Sequence, residues 1–168
     1  NINLMRNFIS YKKSLEILGD IVLSKQSTEK LFITNAIGRV IAKDIIANHN
    51  NPEFPTSAMD GYAIKYADMK NNSIEIIDKN PAGSIIEKEV LISTCIKTFT
   101  GSLMPKGSDT LIPIENIEVI NNQIKITKEV PFGFAVREIG ENYKNNEILI
   151  KKGTIVGFAE IGVLASLN

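Results

Sequence analysis

The sequence predicts a mainly β protein with a few helices, of the α+β class. Apolar residues at helical spacing occur only near its two ends, while short β-branched runs alternate with turn residues from Asp60 to about Gly153. No helical pattern separates those runs. The expected architecture is a β-barrel-like unit, residues 51–142, inserted in an elongated mixed lobe made of residues 1–50 and 143–168.

The first element is a helix over residues 10–24. Tyr11, Leu15, Leu18 and Val22 recur at spacings of three and four, which stacks them along one face. Ser10 is placed to cap it by accepting a backbone N–H bond, and Gly19 weakens it by about 1 kcal/mol relative to Ala. Residues 31–33 read as a short strand, 34–40 as a brief helical turn and 41–47 as another strand. A loop carrying Pro52 and Pro55 follows, over residues 48–57. Strands are then expected at 62–64, 73–77, 90–92, 95–99, 110–114, 117–120 and 124–126. The Asn121-Asn122 pair suits a tight hairpin between the last two, because Asn tolerates positive φ. Strands so spaced argue for a barrel or sandwich-like unit and against βαβ architecture. Residues 158–167 return to helical spacing with Ile161, Leu164 and Ala165. That helix meets the end of the sequence with its apolar face intact, and the sequence opens on Asn1; both features read as an excised fragment.

Composition narrows the function classes. Lys plus Arg equals Asp plus Glu, 19 each among 168 residues, so no net field or basic stripe recruits nucleic acid. No apolar stretch approaches the roughly 18 to 20 residues of a spanning helix, and no signal-peptide pattern opens the sequence. Cys95 is the single cysteine, which excludes an intrachain disulfide and, with the missing signal peptide, predicts a cytoplasmic setting. Inside its apolar run it reads as a small buried hydrophobe. Ile makes up about one residue in six and Asn and Lys are plentiful, which reflects codon usage in an A+T-rich genome rather than function.

Two segments are richer in specialised residues than a core needs. In 54–63 a hydroxyl, a carboxylate and a glycine follow a Pro-constrained loop and run into a strand. Such a loop can hold Ser57 and Asp60 toward a ligand while Gly61 permits close backbone approach. The same residues also suit an Asp-Gly turn with a capping Ser, and spacing alone leaves both readings open. In 98–109 a strand ends in Thr100-Gly101 and a loop with Pro105 and Gly107 follows; its N–H groups can bind anionic oxygens, or it is an ordinary connection. Gly-Lys-Ser/Thr is absent, so it is no Walker A loop. Residues 137–142 carry carboxylates that would orient a ligand or Mg²⁺, or simply form a solvated turn. His49 is the only histidine, which excludes a zinc site built from several His or Cys. A triad of Ser57, His49 and Asp60 is arithmetically available, but nothing marks a nucleophile elbow.

Taken together, these segments resemble the amino-terminal region of the molybdopterin molybdenumtransferases, the MoeA and gephyrin E-domain family. The string Ser57-Ala58-Met59-Asp60-Gly61-Tyr62-Ala63 carries the resemblance. Thr100, Gly101, Pro105, Gly107 and Asp109, leading into Ile112-Pro113-Ile114-Glu115, add to it. So do Ala36-Ile37-Gly38-Arg39-Val40, Gly140-Glu141, and the closing stretch from Glu160 to Ser166. The resemblance implies an enzyme that inserts molybdate into adenylylated molybdopterin and releases AMP, with Mg²⁺ managing phosphate charge. It implies a cleft between the subunits of a homodimer, a small-molecule pterin substrate and handover from the molybdopterin adenylyltransferase. No nucleic-acid or membrane partner is expected.

On that picture Asp60 orients a bound group or metal-bound water, and Thr100 hydrogen-bonds an anionic oxygen. Ser57, Met59, Gly61, Tyr62, Gly101 and Glu141 complete the substrate-binding set, with Ser57 and Tyr62 holding the loop rather than touching substrate. No residue is assigned as a metal ligand. Pro55-Thr56 stands where the family often has Asp-Asn. Asn142 stands where it often has Asp, so a carboxylate role at 142 is lost. The pterin-binding and terminal β domains have no counterpart in this sequence, so the isolated chain is expected to be inactive, and its leading helix to lack its family partner. A non-catalytic scaffold or dimerisation module of the same fold is the alternative reading. Molybdenum and tungsten are not distinguished.

Overall fold

The computed structural model describes residues 8–21 and 27–167, in two compact units, Asn1–Phe32 and Ile33–Asn168. In the first, helix α1 spans Tyr11–Asp20. Ser10 caps it as expected, its Oγ accepting from the Lys13 N–H at 3.1 Å. The helix is shorter than the apolar spacing suggested: Ile21 is already extended, its N–H bonded to the Leu18 carbonyl at 3.4 Å. Val22 and Ser24 lie outside the described residues. Leu31 and Phe32 are not strand, correcting the sequence expectation, because no partner strand runs beside them.

The second unit opens with a 3₁₀ turn, Ile33–Asn35, and then holds ten strands: β1 (Ile45–Ile46), β2 (Thr56–Ser57), β3 (Gly61–Ile64), β4 (Ile74–Asn80), β5 (Thr94–Thr98), β6 (Thr110–Pro113), β7 (Ile117–Ile120), β8 (Gln123–Ile126), β9 (Val136–Arg137) and β10 (Ile148–Ile150). Helix α2, Phe158–Ser166, follows, its first turn closed by Glu160 Oε2 accepting from the Gly157 N–H at 2.8 Å. The predicted strand over 41–47 shrinks to β1, which pairs with β10 across a register irregularity. Farther out, Ile41 exchanges bonds with Thr154 and Gly153 around a turn whose glycine has φ +88, so no ladder extends there.

Six strands form one sheet in the order β6-β3-β5-β4-β8-β7. The Asn121-Asn122 turn takes positive φ at both positions (49 and 63) and makes the tight β7–β8 hairpin foreseen. Two findings depart from expectation. β4 and β5 are parallel, joined without a helix by the irregular excursion 81–93. Within that excursion residues 90–92 are not strand. Thr94 Oγ1 accepts from the Leu91 N–H at 2.8 Å and Ser93 turns left-handed at φ 61, which closes a turn before any ladder can form.

The sheet must curl. β6 and β7 sit at opposite edges, yet only the 3₁₀ turn Ile114–Asn116 joins them. Those few residues span at most about 14 Å, whereas the edges of a flat sheet of this width would lie about 24 Å apart. The result is an open, half-closed barrel. Its inner face packs Tyr62, Ile64, Ile74, Cys95, Ile112 and Ile124 with Met69 and Val130. β3 and β6 are buried on both faces. Cys95 is fully buried in this core, as expected.

Candidate functional site

Asp60 stands one residue before β3, whose register sets what surrounds it. Gly61 lies opposite Thr98 on one side and Pro113 on the other. Side chains alternate between faces, so Asp60 shares the inner face with Tyr62 and Ile64 and lies at the open mouth of the curled sheet. Its Oδ1 accepts from the Thr100 N–H at 2.8 Å and from Thr100 Oγ1 at 2.7 Å. These bonds, the backbone one first, hold the Asp60 carboxyl below its ordinary range. Slight desolvation opposes them and the nearby Lys97 charge assists. Oδ2 accepts no hydrogen bond among the described residues and Asp60 is exposed, so this oxygen remains free to receive a donor from outside.

The loop after β5 is tied to β2. The Gly101 N–H donates to the Ser57 carbonyl at 2.8 Å, and the Ser57 N–H to the Ser102 carbonyl at 2.9 Å. Ser57 is buried and its Oγ donates to the Met59 carbonyl, folding the loop onto itself. It therefore holds the loop. Tyr62 is also a core residue, where desolvation pushes its phenol up. Met59 is exposed at 40%.

At Gly61 the neighbouring strand leaves no room for a side chain. A Cβ there would lie 2.3 Å from the Ile112 carbonyl oxygen. Gly101 has φ +81 and an amide already spent. The amides of Thr100, Ser102 and Met104 are spent as well, on Asp60, Phe99 and Pro55. These amides therefore offer no cradle for an anion.

Glu141 is not brought to this cluster. The β2–β9 ribbon pairs Thr56 with Arg137 and Ser57 with Val136, then runs away from Asp60 to Pro52, whose carbonyl accepts from the Gly140 N–H at 2.9 Å. At that far end Glu141 Oε2 accepts from the Glu138 N–H at 3.0 Å, as a turn-closing carboxylate. Asn142 bonds Asn51 Oδ1 at 2.7 Å. His49 shares hydrogen bonds with Asn48 Oδ1 and Tyr143 Oη, so no Ser–His–Asp triad forms. A cleft of about 410 Å³ beside His49, Asn51, Phe54, Leu103 and Ser166 lies along this ribbon and contains neither Asp60 nor Thr100.

The chain matches the family model of the MoeA N-terminal region (domain I and II) over residues 9–168. It belongs to that family. Among similar proteins are a molybdopterin molybdenumtransferase of Haemophilus influenzae, 30% identical over 84% of this chain and 35% of that protein, and a gephyrin of Dictyostelium discoideum, 32% identical over 83% of this chain and 22% of that one. The crystal structure of the molybdopterin biosynthesis moeA protein from Pyrococcus horikoshii OT3 superposes with a TM-score of 0.89 at 31% identity, covering 95% of this chain and 44% of that one. The MoeA-type fold is thereby shown, and the relatives place the family in molybdenum cofactor biosynthesis. The chain spans about a fifth to less than half of these relatives' length. No helix among the described residues is long and apolar enough to cross a membrane.

Sequence reasoning missed the row of charged side chains beside Asp60. Lys97 lies opposite Tyr62, and Lys79 opposite Lys97. Only the pairing register reveals that row.

Proposed function

We propose that this chain is the amino-terminal region of an enzyme that inserts molybdate into adenylylated molybdopterin and releases AMP. The observation that carries the reading is the Asp60–Thr100 pair, built from the Ser57–Ala63 string and presented at the mouth of the sheet with one carboxylate oxygen free. In this reading Asp60 stays anionic at neutral pH and orients a proton-bearing group of the bound substrate. Thr100 fixes that carboxylate by two bonds, and its Oγ1 retains lone pairs toward the mouth. Preorganised groups of this kind contribute by positioning and electrostatics.

Among the described residues no cluster of three or more acidic, His or Cys side chains is placed to hold a metal. Asp60 offers a single carboxylate, so these residues by themselves do not fit a resident Mg²⁺, and the positioning work falls to Asp60 and Thr100. The reading keeps residues 1–50 with 143–168 as a linking lobe around the inserted unit 51–142. The β1–β10 ladder and the Val40–Ile155 bridge, which join the two flanks, support it. It also keeps a cytoplasmic homodimer as the working form, receives substrate from the adenylyltransferase, and assigns no turnover to this chain alone.

The test is complementation. The full-length gene is placed in cells lacking molybdenumtransferase, with Asp60→Asn alongside, and a molybdoenzyme is assayed. Restoration by the parent and a loss of about 100-fold or more in the variant is the expected result. A soluble, abundant parent that restores nothing would sink the enzyme reading and leave a scaffold module of the same fold in its place.

A further inference from the structure

The mouth of the sheet carries Lys97 near Asp60, with Lys79 next to it on the neighbouring strand. Lys97 on β5 is the register partner of Tyr62 on β3 and of Lys79 on β4. Register partners project from the same face, so Tyr62, Lys97 and Lys79 form one row across neighbouring strands, next to the Asp60 position. Strands lie about 4.8 Å apart, and like charges directly opposite one another destabilise a sheet. Among the described residues neither lysine takes part in an ion pair, while the adjacent Asp78 is held by Lys88 at 3.4 Å. Lys97 Nζ lies 5.4 Å from the Phe99 ring centroid. That contact keeps the ammonium against the sheet, close enough for Asp60 to feel its charge.

An anion entering this mouth meets the Asp60 carboxylate. The amides of Thr100, Gly101, Ser102 and Met104 are already spent, so the approach is repulsive unless side-chain cations offset it. We propose that Lys97, with Lys79 behind it, forms the oxyanion-binding half of the Asp60 site and takes a tetrahedral oxyanion, either molybdate or a phosphate of an adenylylated substrate. The lysines hold the unprotonated oxygens while Asp60 Oδ2 receives whichever oxygen or water bears a proton. The proposal rests on the functional reading above, in which an anionic substrate approaches Asp60.

Binding separates the two ideas. Full-length protein is titrated calorimetrically with sodium molybdate and, separately, with AMP, using wild type, Lys97→Gln, Lys97→Arg and Lys79→Gln, with thermal midpoints as the folding control. Lys97→Gln is expected to weaken at least one of the two anions about tenfold, Lys79→Gln about threefold, and Lys97→Arg to stay near wild type. Weakening confined to molybdate identifies the metal oxyanion as the occupant; weakening confined to AMP identifies the nucleotide phosphate. Affinities within twofold of wild type in Lys97→Gln for both anions, or a wild type that binds neither, overturn the proposal. Should Lys97→Gln lose stability, the more exposed Lys79→Gln carries the same test. Lysine-dependent binding in a parent that fails complementation would sink the enzymatic reading and leave this site standing.

Discussion

A carboxylate that receives two hydrogen bonds on one oxygen presents the other in a fixed direction. Asp60 does this, and its titration reports it. The Thr100 bonds depress the folded value below the ordinary 3.8. Their contribution to stability is therefore fully present above that value, and is lost as pH falls through the folded one. An NMR titration following the Asp60 carboxyl carbon should give a midpoint below 3.8. Thr100→Val, which keeps the N–H bond and removes the hydroxyl bond, should raise that midpoint part of the way; an unchanged midpoint would show that Oγ1 contributes nothing. Cys95 behaves oppositely. Burial pushes its thiol from 9.0 up to about 12, so the unfolded chain ionises first and stability falls as pH rises through that window. Ellman's reagent at pH 8 should leave the native thiol untouched and modify it only after denaturant is added; rapid native labelling would contradict its burial. Cys95 was legible because a lone cysteine in an apolar run has few other places to go. Asp60 and Thr100 were each legible from local motif, but their mutual bonds were not. Lys79 and Lys97 were illegible: which face a strand residue takes depends on register, and the irregularity between Ile76 and Asp78 shifts it by one.

At the scale of elements, glycines divide by what surrounds them. Gly61 sits where β3 and β6 approach so closely that an added Cβ meets the Ile112 carbonyl at 2.3 Å. Gly61→Ala should therefore cost about 3 kcal/mol or more, because a paired backbone has to move. Gly162 lies inside α2 with nothing within 4 Å of an added Cβ, and Gly162→Ala should stabilise by up to about 1 kcal/mol. Urea midpoints of the two variants should move in opposite directions; a neutral Gly61→Ala would refute the close approach. The strands found from sequence were those whose β-branched residues also had a partner: β3, β4, β5, β6 and the β7–β8 hairpin. Residues 31–33 and 90–92 have the same local composition but join no ladder. Pairing is a property of the fold, and no window of the sequence contains it.

Across the whole molecule, fold class was readable while closure was not. The alternation of short runs and turns announced a β unit, and the helices at the two ends were placed within a few residues. The parallel β4–β5 pair and the curl forced by the short β6–β7 link follow from strand order, which local patterns do not encode. That architecture distributes stability unevenly. In the unit Ile33–Asn168, β3 and β6 are buried throughout, and β3 is bonded on one side to β6 and on the other to β5. In Asn1–Phe32, α1 has ten residues and none of them is buried; isolated helices shorter than about 12 residues are marginal in water. Native-state hydrogen exchange on this chain should therefore show a gradient. Amides of α1, held among the described residues by the Ser10 cap and local bonds, should exchange within a small factor of the unprotected rate. Those of Tyr62, Ile64, Ile96 and Ile112 should exchange only through global unfolding, with protection that falls in parallel as urea is added. Protection of α1 equal to that of β3 would mean that the two units unfold as one. It would also mean that the helix draws stability from packing its exposed side chains do not reveal.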